Sequence, residues 1–131
     1  LLDLQSLFRF QVSNPDLTLP QILLLSSISD EGVDMSSLSK QMGVDNSTMT
    51  RLIDVLIRNG WAIKYKNKKD GRVVMVEITE KGEVLQEEID KNIDKFGFEI
   101  YNSISLEDRE EVMEILTEFH WVLSKNLLRS Q

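Results

Sequence analysis

Apolar and polar positions along this 131-residue chain repeat with two different periods, and the change between them organises the sequence. Leu1, Leu2, Leu4, Leu7, Phe8, Phe10 and Val12 crowd the first twelve residues. That is too dense for a helix with one apolar face, so this segment is predicted to pack on two sides. Asn14-Pro15-Asp16 ends it, because proline cannot continue a helix. A second helix is predicted from about Thr18 to Ser29, with Thr18 as its N-cap and Pro20 in the first turn, where the missing N–H is harmless. Ile22, Leu23, Leu24, Leu25 and Ile28 make it a core helix, closed by Asp30-Glu31-Gly32. Ser36 is the expected cap of a short third helix over 37–42, stopped by Gly43. A fourth starts at Asp45/Asn46 and runs to about Asn59-Gly60, with Met49, Leu52, Ile53 and Leu56 as one buried stripe.

The period then falls to two. Trp61, Ile63 and Tyr65 alternate with Ala62, Lys64 and Lys66, and Val74, Val76 and Ile78 alternate with Val73, Met75 and Glu77. Around Asn67-Lys68-Lys69-Asp70-Gly71 this reads as a β-hairpin with an Asp-Gly turn. A lone hairpin is marginal in water, so this one must lean on the helices. Thr79 is placed as the cap of a long helix from about Glu80 to Asn102, with Leu85, Ile89, Ile93, Phe96 and Ile100 on one stripe and Gly97 as a weak point. Ser105 to Asp108 resembles a capping box with Asp in place of Glu. The last helix, to about Leu128, carries Val112, Ile115, Leu116, Phe119, Val122 and Leu123. The sequence holds no internal repeat, low-complexity tract or flexible linker.

Composition narrows the function. With 41% hydrophobic and 28% charged residues, the chain can bury a core as a globular domain. No run approaches the ~18 consecutive apolar residues of a membrane span. The apolar N-terminus lacks a basic flank and a small-residue cleavage site, so no signal peptide and a cytoplasmic location are expected. The chain begins at Leu1 rather than Met, and further N-terminal residues are expected. There is no cysteine and one histidine, His120. This excludes disulfide scaffolds, thiolate zinc sites and cysteine nucleophiles, and leaves no acid/base or nucleophile arrangement. No enzyme activity, cofactor or metal is expected. His120 and Trp121 read as packing residues beside the Phe119/Val122 stripe, and Trp61 as the anchor of the hairpin.

Charge changes the picture again. Twenty-two acidic against fifteen basic residues give −7, which taken whole argues against nucleic acid. Between Lys40 and Gly82, however, nine basic residues face five acidic ones, a net of +4, and the remainder carries −11. A basic middle on an acidic body is the asymmetry expected of a nucleic-acid face.

Three short helices followed by a basic hairpin are the parts of a winged helix-turn-helix. Gly43 supplies the backbone freedom for the turn, Ser39 is small enough for close helix packing, and Met49 fills the space between the helices. With the apolar stripe of the fourth helix turned inward, Asn46, Ser47, Thr48, Thr50 and Arg51 are left on or near its exposed side. Short polar side chains and an Arg at a helix N-terminus suit a major groove, where they can reach base edges and phosphates. An N-cap cluster would use the same residue types. Lys64, Lys66, Lys68, Lys69 and Arg72 crowd the hairpin, which can enter a minor groove and track phosphates. Ser36 and Ser37, opening the preceding helix, are candidate phosphate contacts. The apolar first helix and the long stripes of the last two exceed what one small winged helix can cover, which predicts a dimer. Glu83, Glu87, Glu88, Asp90, Glu110, Glu111 and Glu114 are the expected solvated face.

Several stretches resemble the multiple-antibiotic-resistance regulator (MarR) family of bacterial transcription factors. They are Leu17-Thr18-Leu19-Pro20-Gln21, Ser47 through Asp54, Asn59-Gly60-Trp61-Ala62, Asp70-Gly71-Arg72, and Ile78-Thr79-Glu80-Lys81-Gly82. The D-x-R element followed by hydrophobic-T-x-K-G is the specific part. The resemblance implies a mainly α fold with a small β-wing, a winged helix-turn-helix over 18–82 with a helical dimerisation region over 1–17 and 83–131 as one intertwined domain. It further implies a cytoplasmic homodimer on a pseudo-palindromic double-stranded DNA operator, acting as a repressor released by a small amphipathic or phenolic effector. Arg72 would reach the minor groove and Asp70 would hold the wing in shape. Gly71 stands where a second arginine is common, and the missing cysteines exclude the peroxide-sensing mechanism of one branch. The acidic total keeps one alternative open, a winged-helix protein-interaction module without DNA binding.

Overall fold

A computed structural model describes residues 2–12 and 14–129 of the chain. Leu1, expected in the first helix, lies outside the described residues. The elements run α1 (Leu2–Gln11), α2 (Leu19–Ser27), β1 (Val33–Asp34), α3 (Met35–Met42), α4 (Asn46–Arg58), β2 (Ala62–Lys66), β3 (Val74–Ile78), α5 (Glu80–Ser103) and α6 (Arg109–Arg129). The expected class, mainly α with a small β-wing, is the observed one. The chain forms two compact units, Leu1–Asp94 and Lys95–Gln131.

In the first unit the core gathers Leu24 and Leu25 of α2, Leu38 of α3, and Met49, Ile53 and Leu56 of α4, all fully buried. A 13-residue helix is marginal in water by itself. Burying three such side chains, at about 2 kcal/mol each, outweighs that deficit, so α4 exists because it packs. Leu52 of the predicted stripe is only half-buried, and Leu23, expected in the core, is 44% exposed. The helix α2 ends two residues earlier than predicted, with Ile28 as its C-cap. Thr18 is its N-cap as read, and the Thr18 N–H donates to Gln21 Oε1 at 2.8 Å.

The cap of α3 is a correction. Asp34, not Ser36, occupies it: its carboxylate accepts from the Ser37 N–H at 2.8 Å and from the Ser37 hydroxyl. Carboxylate and hydroxyl caps are close in strength, so the sequence alone did not separate them. Gly43 sits at φ 65°, in the left-handed region the turn requires. Ser39 is buried and its hydroxyl donates to Met35 O at 3.0 Å.

The sheet has the order β1-β3-β2, all antiparallel. The strand β1, only two residues long, is too short to show a period and was not predicted. Ala62 faces Ile78, Lys64 faces Val76 and Lys66 faces Val74. Paired residues share a face, and Ala62 is buried over the core, while Lys64 is exposed and Ile63 is 48% exposed. Trp61, just before the strand, is buried, as its anchoring role requires. The turn is a second correction. Gly71 is not in the left-handed region, and the strands are joined by a longer loop held by side-chain caps rather than by a tight Asp-Gly turn.

Across α1, Leu2, Leu4, Leu7 and Phe10 are 51–81% exposed, and of its apolar residues only Phe8 is half-covered. The predicted two-sided packing is therefore absent from the single chain; Val12, just beyond the helix, is buried.

The second unit holds the end of α5, a turn, and α6. Arg109 closes the turn, with Nε donating to Ile104 O at 3.1 Å and its guanidinium 4.7 Å from the Tyr101 ring centroid. Half of the predicted capping box forms: Asp108 N–H donates to Ser105 Oγ at 3.3 Å, but the Asp108 carboxylate accepts from the Ser105 hydroxyl rather than from its N–H, ahead of the helix, which starts at Arg109. Phe96 is the one large side chain buried here among the described residues, while Ile115, Leu116, Phe119, Val122 and Leu123 of α6 are each about half exposed. His120 is exposed rather than packed, and Lys125 Nζ lies 4.6 Å from the ring centroid of the exposed Trp121.

Candidate nucleic-acid interface

The helix α4 presents its N-terminal turn through the Gly43 bend. At 100° per residue, Ser47, Arg51 and Arg58 fall within about 40° of one another, opposite the buried Met49, Ile53 and Leu56. All three are exposed. Asn46 is also exposed, and among the described residues neither it nor Ser47 or Arg51 makes a side-chain hydrogen bond. Their groups are open to a ligand. Thr48 and Thr50 are placed differently. The Thr48 hydroxyl donates to Asp45 Oδ2 at 3.0 Å, and the Thr50 hydroxyl donates to Asn46 O at 2.8 Å. Both are half-buried, so each offers a methyl group and oxygen lone pairs rather than a proton.

The helix dipole is also engaged. The Asp45 carboxylate takes the Thr48 N–H at 2.8 Å, and the backbone and hydroxyl bonds of Thr48 hold its pKa below the ordinary 3.8. A carboxylate thus occupies the N-terminus of α4, and the positive charge expected there resides instead on Arg51. The same holds at α3, where Ser37 bonds lower the pKa of Asp34. Of the two candidate phosphate contacts, Ser37 is engaged by Asp34, while Ser36 remains exposed. Ser36, Lys40 and Asn46 rim a shallow depression of about 510 Å³ between α3 and α4.

The wing loop, 67–73, is organised by two side chains. Asn67 Oδ1 accepts from Lys69 N–H at 2.8 Å, and Asp70 Oδ1 accepts from Arg72 N–H at 3.0 Å. The Asn67 N–H to Val73 O bond, 2.8 Å, closes the loop. Asn67 was missed from sequence; the signal was its preference for capping its own turn two residues on. Lys66, Lys68, Lys69 and Arg72 are all exposed around this frame. Arg72 Nε lies 3.3 Å from Asp70 Oδ1, with the Arg72 side chain 94% exposed. Such an exposed pair contributes about 0–1 kcal/mol, so it can be exchanged for a phosphate. On the outer face, burial raises the pKa of the Tyr65 hydroxyl, and neighbouring Glu77 adds to it.

Two basic residues of the positive middle, both exposed, are engaged by partners within the chain. Lys64 Nζ meets Asp54 Oδ1 of α4 at 2.8 Å, and Lys81 Nζ donates to Asn59 O at 2.9 Å. Conversely, Arg58 belongs to the outward stripe and was not singled out from sequence, although its spacing of seven residues from Arg51 was the available signal. Among the described residues no group of three or more His, Cys, Asp or Glu could hold a metal ion, and no helix is long and apolar enough to cross a membrane.

Fold and exposed basic face together define a winged helix-turn-helix protein. The family model for the transcriptional regulator SarA/Rot matches residues 6–89. The chain belongs to that family, whose winged-helix fold is the MarR one expected from the quoted motifs. It is 30% identical over 90 residues to the HTH-type transcriptional regulator YhbI of Bacillus subtilis, matching 68% of this chain and 58% of that protein. It is 23% identical over 112 residues to the HTH-type transcriptional regulator SarZ of Staphylococcus aureus, matching 85% and 72%. The fold is shared with Streptococcus pneumoniae FabT, solved in complex with DNA, at a TM-score of 0.79 and 21% identity over 95% of this chain and 91% of that one.

Proposed function

We propose that the chain is a sequence-specific double-stranded DNA-binding transcriptional regulator, working in the cytoplasm as a homodimer on a pseudo-palindromic operator. The observation that carries this is the exposed outward stripe of α4, with Ser47 and Arg51 making no side-chain hydrogen bond among the described residues, beside a wing whose Lys66, Lys68, Lys69 and Arg72 are all exposed. Asn46, Ser47 and Arg51 supply hydrogen-bond donors to base edges, and Thr48 and Thr50 supply shape. Arg58 and the wing supply phosphate contacts, with Ser36 at the edge of the site and Asp70 bracing Arg72. The DNA-bound state described for FabT supports this reading by analogy.

Dimerisation is proposed for the arms, residues 1–17 and 83–131, around the winged helix 18–82. The apolar stripe of α6, and the groove of about 1060 Å³ within the second unit lined by Tyr101, Leu106, Met113 and Trp121, belong to that surface. Repression relieved by a small amphipathic effector is the regulatory mode proposed with it. The interaction-module alternative rests on the acidic total alone, and the acidic residues read as its solvated face, among them Glu83, Glu87, Glu110 and Glu114, are all exposed.

Fluorescence anisotropy with duplex DNA at two salt concentrations tests the reading. Arg72→Ala should weaken binding to every duplex and lower the salt slope by about one. Binding that is insensitive to salt, or an Arg72→Ala variant indistinguishable from wild type, would remove the wing from the site.

A further inference from the structure

The first two turns of α5 reach out and satisfy the C-terminal carbonyls of two other helices. Gln86 is half-buried, and its amide nitrogen donates to Leu25 O at 2.8 Å and Ile28 O at 3.0 Å, at the end of α2. Both hydrogens of that amide are thereby used. Lys81 Nζ donates to Asn59 O, at the end of α4. Between them, the Thr79 hydroxyl donates to Gly60 O at 2.6 Å and accepts from Gly82 N–H at 3.1 Å, while Thr79 N–H donates to Trp61 O at 3.0 Å. The approach is so close that a Cβ on Gly82 would lie 2.0 Å from Trp61 O.

A helix leaves its last four carbonyls without internal partners, and a donor from another element that takes them fixes where that helix ends and points. The helix α2 packs on both α3 and α4. Gln86 therefore holds the support behind the helix-turn-helix, and Lys81 holds α4 itself. We infer that Gln86 and Lys81 are positioning residues for DNA reading: they set the pitch of α4 against α5, and with it the sequence preference of the α4 stripe, without touching DNA. Base-edge hydrogen bonds need accurate placement of the reading helix, whereas phosphate attraction tolerates a tilted one. Loss of the clamp therefore lowers selectivity, not general affinity. The inference rests on the DNA-binding reading above.

Gln86→Met, Lys81→Met and Lys81→Arg are compared with wild type by anisotropy on two probes. One is the duplex recovered by selecting a randomised pool with the wild-type protein; the other is a scrambled duplex of equal length and composition. Gln86→Met and Lys81→Met should lose about tenfold on the selected duplex, the size of one or two net hydrogen bonds. The scrambled duplex and the salt slope should not change, and Lys81→Arg should recover the loss. Equal loss on both probes with a shallower slope would make Lys81 a phosphate contact and overturn its role, and no loss on either would overturn the clamp. Hydrogen exchange of the free protein gives a readout without DNA. Amides of 57–61 should exchange faster in Lys81→Met and those of 25–28 faster in Gln86→Met, with wing amides unchanged; unchanged protection overturns the clamp. A wild type without salt-sensitive binding would instead overturn the DNA reading itself, a separate failure.

Discussion

The winged-helix core of residues 19–82 and residues 95–129 use apolar side chains in opposite ways. In the first unit, Leu24, Leu25, Leu38, Met49, Ile53 and Leu56 are fully buried, and the sheet, the turn at Gly43 and the joint at Gly82 are all closed within it. In the second, Phe96 is buried, while Leu116, Phe119, Val122 and Leu123 stand about half exposed along α6. The two stretches looked alike as sequence, since both carry helical apolar stripes. The difference teaches that a stripe announces burial without saying by what. Around the winged-helix core the chain supplies its own cover, although α1 of the same unit leaves Leu2, Leu4, Leu7 and Phe10 exposed. In the second it leaves a face whose cover, on the reading proposed above, is a second copy.

That contrast can be broken by two substitutions. Leu56→Ala removes a fully buried side chain from a self-contained core and should cost about 3 kcal/mol. The loss, measured by urea unfolding, should be the same at low and high protein concentration. Leu123→Glu places a charge on the open stripe of α6 and should weaken self-association by about tenfold or more, roughly 1.4 kcal/mol. Sedimentation velocity would read this as a shift toward the smaller species on dilution. A Leu56→Ala loss that grows on dilution, or a Leu123→Glu variant with unaltered sedimentation, would dissolve the distinction between the units.

How much of this was legible in advance depended on range. Local chemistry was readable: Thr18 as a cap, Asp45 as one of two candidate caps, Gly43 as the left-handed turn, Trp61 as an anchor and Met49, Ile53 and Leu56 of the α4 stripe as core all stand where the residue pattern placed them. The misreadings occurred where two groups of similar chemistry compete or where the partner is distant in sequence. Asp34 and Ser36 are both capable caps. Gly71 looked like a tight-turn glycine until Asn67 and Asp70 took over the loop. Lys64 and Lys81 counted toward the basic face, but Asp54 and the Asn59 carbonyl, ten and twenty-two residues away, engage their ammonium groups. Charge counting sees the residue type and not the direction of its side chain, which is also why Arg58 went unplaced.

The smallest effect concerns the two carboxylate caps, both in the first unit. Ser37 and Thr48 hold Asp34 and Asp45 below the ordinary carboxylate pKa of 3.8. A carboxylate depressed in the folded state contributes stability that is present above its unfolded pKa and is lost as pH falls through the folded value. Acid should therefore loosen the first turns of α3 and α4 below about pH 4. The chain has two tryptophans, Trp61 buried in the first unit and Trp121 59% exposed in the second. A Trp121→Phe background leaves Trp61 fluorescence as a report on the first unit alone. In that background, Asp34→Asn with Asp45→Asn keeps a side-chain oxygen at each cap but removes the titration. The melting temperature near pH 7 should fall by no more than a few degrees, and its decline between pH 5 and pH 3 should be shallower than in the parent. An equally steep decline would assign the acid sensitivity of this unit to carboxylates other than its helix caps.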